Sequence, residues 1–100
     1  MARWEKLLRK MIRDPKPLGY KYDDVAVVLG NLEFVEAPNS GTSHRRWRRR
    51  LGDGTLVIIG VKKPGHGTVK PGYIRDLVET LLMHDLVPSN ILEQADERVD

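Results

Sequence analysis

The segment Gly41-Thr42-Ser43-His44-Arg45-Arg46-Trp47-Arg48-Arg49-Arg50 carries the densest reactive chemistry in the chain. Five of the six residues from 45 to 50 are arginine, interrupted by Trp47. In an extended segment, successive side chains point to opposite faces. Trp47, the large apolar member, is expected to face the core. His44, Arg46, Arg48 and Arg50 then share the outward face, an imidazole beside a row of guanidinium groups. Histidine titrates near neutrality and can give or take a proton. Arginine forks bind phosphate oxygens and neutralise charge as it builds. This set suits cleavage of an RNA phosphodiester, in which the 2′-hydroxyl attacks its own 3′-phosphate after a base removes its proton. The reaction needs no metal. His44, His66 and His84 lie far apart in sequence without a nearby acid motif, so no metal site and no cofactor are expected.

Further cations extend the candidate surface. Arg45 lies inside the run, and Lys62, Lys63, His66 and Lys70 populate a basic, glycine-containing stretch from 62 to 70. All are candidate RNA contacts. A blander reading stands beside each. A lone strand histidine is more often a surface or packing residue, an arginine run is more often a solvated face, and His66 is more often part of a flexible loop. Lys70-Pro71-Gly72 opens a helix, and helix N-termini attract phosphate, but every helix has one. His84 suits the C-terminal end of a helix, where a cation complements the dipole.

These residues must be held by ordinary elements. Trp4, Leu7, Leu8, Met11 and Ile12 fall on one helical face, ending before Asp14-Pro15. Pro15 and Pro17 mark an extended linker. Val25, Val28, Leu29 and Leu32 predict a second helix, opened by Asp23 and Asp24. Phe34 to Ala37 reads as a short strand. His44–Leu51 and Thr55–Val61 read as a hairpin across Gly52-Asp53-Gly54. Leu56-Val57-Ile58-Ile59 lacks alternation, which predicts cover on both faces. Pro71 suits the first turn of a last helix bearing Ile74, Leu77, Val78, Leu81 and Leu82. The order is helix, helix, three strands, helix, an α+β domain.

The chain has 100 residues, 40% apolar and 31% charged, with a net charge of +3 and no cysteine. That composition fits one folded domain and not a disordered or disulfide-framed chain. It is compatible with a cytoplasmic protein. No apolar run approaches the ~20 residues of a membrane span, and MARWEKLLRKMIRD is too charged for a secretory signal. The expected division is 1–19, a helical extension with a proline linker; 20–87, the core domain; and 88–100, an acidic flexible tail. In that tail Glu93, Asp96, Glu97 and Asp100 are candidates for screening the arginine face.

Residues 20–87 resemble the HicA family of toxins from toxin–antitoxin systems. The resemblance lies in Gly41-Thr42-Ser43-His44 with Trp47 three residues on, in the strand Val57–Val61, in the loop pair His66-Gly67, and in Lys70-Pro71-Gly72 leading into the stripe Ile74–Leu82. The chain departs from the family pattern at Glu33-Phe34, where Gly-Phe is usual, and at Arg45, where histidine or lysine is frequent. The resemblance implies a core like a double-stranded-RNA-binding domain: helix, three-stranded antiparallel sheet, helix. Here that core carries an extra N-terminal helix. It also implies messenger-RNA cleavage with His44 as the catalytic residue, and neutralisation by a HicB-type antitoxin that masks the histidine. A non-catalytic RNA-binding module on the same fold is the alternative.

Overall fold

The fold is that of a computed structural model describing residues 2–14, 16–38 and 41–96, the side chains of 93–96 excepted. Helix α1 (Arg3–Arg13) and helix α2 (Tyr22–Asn31) start with the same device. The backbone N–H before each helix donates to a carboxylate three residues on: Ala2 to Glu5 Oε1 and Lys21 to Asp24 Oδ2, both at 2.8 Å. Each bond satisfies a donor that the helix itself leaves free. Asp24 Oδ1 also receives Arg3 Nη2 at 2.8 Å, linking the two helices. The apolar stripe of α1 buries Leu8 and Met11 in the same core as Val25, Val28 and Leu29 of α2. Helix α1 therefore contributes to the main core.

Helix α2 ends by turning sharply. Phe34 N–H donates to Leu29 O at 2.9 Å, with Glu33 between them at φ 68°. That left-handed conformation favours glycine. The turn drops Phe34 into the core and delivers the chain to strand β1 (Val35–Glu36).

Strands β2 (His44–Arg50) and β3 (Leu56–Lys62) form an antiparallel hairpin, and β1 pairs antiparallel with β2, giving the order β1-β2-β3. At the hairpin tip, Gly54 takes φ +93° and Asp53 Oδ1 accepts the Thr55 N–H at 2.9 Å. Burial alternates strictly along both long strands. Trp47, Val57, Ile59 and Val61 are buried, and the intervening positions of β3 are exposed. Helix α3 (Pro71–Met83) packs against β3 through the sheet's apolar face, burying Ile74, Leu77, Val78 and Leu81.

The structure corrects two expectations. Leu56–Ile59 is covered on one face only: Leu56 is 41% and Ile58 51% exposed. The helices cover only the side bearing Trp47, so the apolar run does not signal a doubly buried strand. Residues 88–100 were expected to form a flexible tail, yet Ser89–Asp96 forms a helix, α4. Ile91 of α4 is fully buried, and α4 packs against α1. One deeply inserted isoleucine anchors the segment, a signal too sparse to read as a stripe. The acidic side chains of Glu93 and Asp96, together with residues 97–100, lie outside the described residues, and so does the screening role expected of them.

Candidate nucleic-acid interface

The strict alternation of β2 sets the geometry of the site. With Trp47 turned into the core, His44, Arg46, Arg48 and Arg50 are all exposed on the uncovered face of the sheet. Strand register adds the cross-strand partners. His44 sits opposite Lys62, Arg46 opposite Gly60, Arg48 opposite Ile58 and Arg50 opposite Leu56. On the other side Arg48 faces Val35 of β1, which is 67% exposed. The open face is thus a cationic row flanked by aliphatic side chains, with an imidazole and an ammonium group at one end. Gly60 places no side chain opposite Arg46, so the face is low there.

Local bonds hold the row. Thr42 Oγ1 accepts the His44 backbone N–H at 3.2 Å and donates to the His44 carbonyl at the same distance, fixing the entry into the strand. Arg50 Nη1 donates to Gly54 O at 2.9 Å, which pulls that guanidinium toward the hairpin tip. Arg46 and Arg48 remain the guanidinium groups nearest His44 along the face. Among the described residues, no side chain hydrogen-bonds the His44 ring.

The odd-numbered arginines do different work. Arg49 turns to the helix side, where Nη1 donates to Leu32 O at 3.0 Å and Nη2 lies 3.6 Å from Glu33 Oε2. It satisfies a carbonyl left free where α2 ends. Arg45, expected as an RNA contact with the others, is half-buried on the side opposite His44. Its Nε is buried without a hydrogen-bond partner. The alternation that exposes Arg46 and Arg48 takes Arg45 away from them, so it does not join the row.

Beside Arg45 lies a small polar cluster. Trp47 Nε1 donates to the Tyr22 hydroxyl at 3.0 Å, and that hydroxyl donates in turn to Glu36 Oε2. The Tyr22 and Trp47 rings lie 6.5 Å apart at 45°, and Lys63 Nζ sits 5.3 Å above the Tyr22 ring. Burial, then the bond to Glu36, pushes the Tyr22 phenol up to about 12. That contact places the Lys63 ammonium group over the Tyr22 ring.

The remaining expected RNA contacts gather in a cleft. Lys62, Lys63, His66 and Lys70 line a cavity of about 360 Å³ with Pro64 and Tyr73. Ser43, the neighbour of His44, closes one side. Its carbonyl accepts the Lys63 N–H at 2.7 Å, continuing the β2–β3 ladder past the strand ends. Sequence reasoning had these residues but not the cleft, because nothing local signals that Tyr73 and Pro64 frame them. Lys62 belongs both to the cleft and, opposite His44, to the open face.

Among the described residues, no three His, Cys, Asp or Glu side chains gather closely enough to hold a metal ion, and no helix is long and apolar enough to cross a membrane. No family model, curated protein or solved structure matches this chain.

Proposed function

We propose that the protein is an endoribonuclease of the HicA toxin type, cleaving RNA by histidine acid–base chemistry on the open face of the sheet. The observation that carries this reading is the exposure of His44 on the same uncovered face as Arg46 and Arg48, with Lys62 directly across the strand. His44 takes the proton of a 2′-hydroxyl. The freed oxygen attacks the adjacent phosphorus, the P–O5′ bond breaks as a 2′,3′-cyclic phosphate forms, and the leaving 5′-oxygen takes its proton from solvent water while His44 later returns its own to solvent. Arg46 and Arg48 stabilise the extra negative charge of the pentavalent state. No step uses a metal ion.

The order helix, three antiparallel strands, helix from α2 to α3 supports a core like a double-stranded-RNA-binding domain, with α1 and α4 added. Glu33 strengthens the resemblance. It stands where the family usually has glycine, and it holds the positive φ that glycine favours. A HicB-type antitoxin is the proposed protein partner, covering the open face, and the cytoplasm is the proposed compartment. RNA is held mainly through phosphates and 2′-hydroxyls.

The non-catalytic alternative draws on one observation: no described side chain orients the His44 imidazole. A single experiment separates the two. Purified protein is incubated with a long RNA in EDTA, beside His44→Ala. Fragments from the parent alone support the nuclease. A gel shift without fragments supports the binding module, and intact RNA with no shift removes both.

A further inference from the structure

Resting on the nuclease reading, we propose that the cleft between the β3–α3 loop and Tyr73 binds one unpaired nucleotide of the RNA, next to the phosphate held at His44. The enzyme therefore acts on single-stranded RNA in preference to duplex.

The cleft and the open face share Lys62. Lys62 faces His44 across the strand pair and also lines the cleft, and Ser43 does so from the adjoining position. A phosphate seated between His44 and Lys62 shares Lys62 with the cleft, which brings the next nucleotide within reach of it. The chemistry of the lining matches that nucleotide. Lys62 and Lys70 offer cations and His66 a ring N–H for its phosphate, and Pro64 and Tyr73, which also line the cleft, are the residues for its base to pack on. Stacking on an aromatic ring holds a base regardless of sequence, because every base has a π-face. The volume, about 360 Å³, lies within the range of sites that enclose small organic ligands. A paired base is stacked inside its helix and cannot enter a side cleft without leaving the stack, which costs unpairing energy. The open arginine row alone reads only phosphates and would take either form. The cleft supplies the discrimination.

The test uses His44→Ala, so that bound RNA stays whole. A labelled ten-nucleotide single strand and its blunt duplex are titrated by fluorescence anisotropy at one salt concentration. The single strand should bind about tenfold or more tightly. Tyr73→Ala should weaken single-strand binding roughly ten- to hundredfold, the effect expected on losing one stacked base, and leave duplex binding nearly unchanged. Tyr73 is partly packed on the core, so a second pair of changes guards against misfolding. His66 and Lys70 are both exposed, and the double variant His66→Ala, Lys70→Gln should lose single-strand affinity with its circular dichroism unchanged. Uridine 3′-monophosphate should also shift amide resonances at Gly65–Lys70 and Tyr73. Equal or tighter duplex binding would overturn the proposal, and so would nucleotide shifts confined to β2. Both outcomes leave His44-dependent cleavage by the parent protein to stand or fall separately.

Discussion

The Trp47 indole donates its N–H to the Tyr22 hydroxyl at 3.0 Å, and the Tyr22 hydroxyl donates in turn to Glu36. This chain of bonds ties β2 to α2 and β1, and it fixes which way β2 faces. With Trp47 held inward, His44 and the even-numbered arginines have only the open side left.

Tyr22→Phe removes the acceptor of the Trp47 N–H and leaves that donor partly buried and unpaired. A loss of about 1–3 kcal/mol in unfolding free energy is expected, the usual cost of an orphaned polar group. Urea denaturation of the two proteins measures it, and an unchanged midpoint would show that the bond contributes nothing.

The same pair predicts a pH dependence. The Tyr22 phenol, raised to about 12 from an unfolded value of 10 mainly by burial, is favoured in its neutral form when folded. Its contribution is complete below pH 10 and fades as pH climbs toward 12, because the unfolded chain releases the proton first. The stability advantage of the parent over Tyr22→Phe should therefore shrink between pH 10 and pH 12. Urea midpoints taken at half-unit steps across that window test this, and a constant difference would contradict it.

His44→Ala should reduce RNA cleavage by roughly 10²–10⁴, the usual effect of losing one proton-transfer group. The thermal midpoint should hardly change, because the side chain is exposed. Gel quantification of fragments over time gives the rate.

The arginines should separate by parity. Arg46→Gln with Arg48→Gln should weaken RNA binding and make it less salt-dependent, by about 0.7 in log–log slope for each single-strand phosphate no longer neutralised. Stability should stay within about 0.5 kcal/mol. Arg49→Gln should do the reverse. It loses the bond to Leu32 O, costing about 1–3 kcal/mol, and leaves the salt slope of RNA binding unaltered.

Glu33→Gly should stabilise the protein by up to about 1 kcal/mol, because glycine reaches φ 68° without a Cβ penalty. The ion pair removed with it is 3.6 Å long and its Glu33 carboxylate is mostly exposed, so it offsets little. Ile91→Ala should cost about 2–5 kcal/mol, since its side chain is fully buried. Chemical denaturation of each variant checks both.

Local pattern alone determined much of this protein. The stripes on α1, α2 and α3 follow from a 3.6-residue period, the hairpin follows from Gly52-Asp53-Gly54, and the outward setting of His44, Arg46 and Arg48 follows from one tryptophan in a period-two strand. Those are short-range rules, complete within a dozen residues. Other features depended on packing between distant segments. An apolar run such as Leu56–Ile59 reads the same whether one face or both are covered, and only the placement of every helix on the Trp47 side left Leu56 and Ile58 open. Arg45, Arg48 and Arg49 are chemically identical in sequence; a half-buried site, an open face and a free helix carbonyl gave them different roles. The burial of Ile91 and the joining of Lys62, His66 and Lys70 with Tyr73 into one cleft likewise required the chain to fold back on itself, because segments far apart in sequence share a surface only once the core has brought them together.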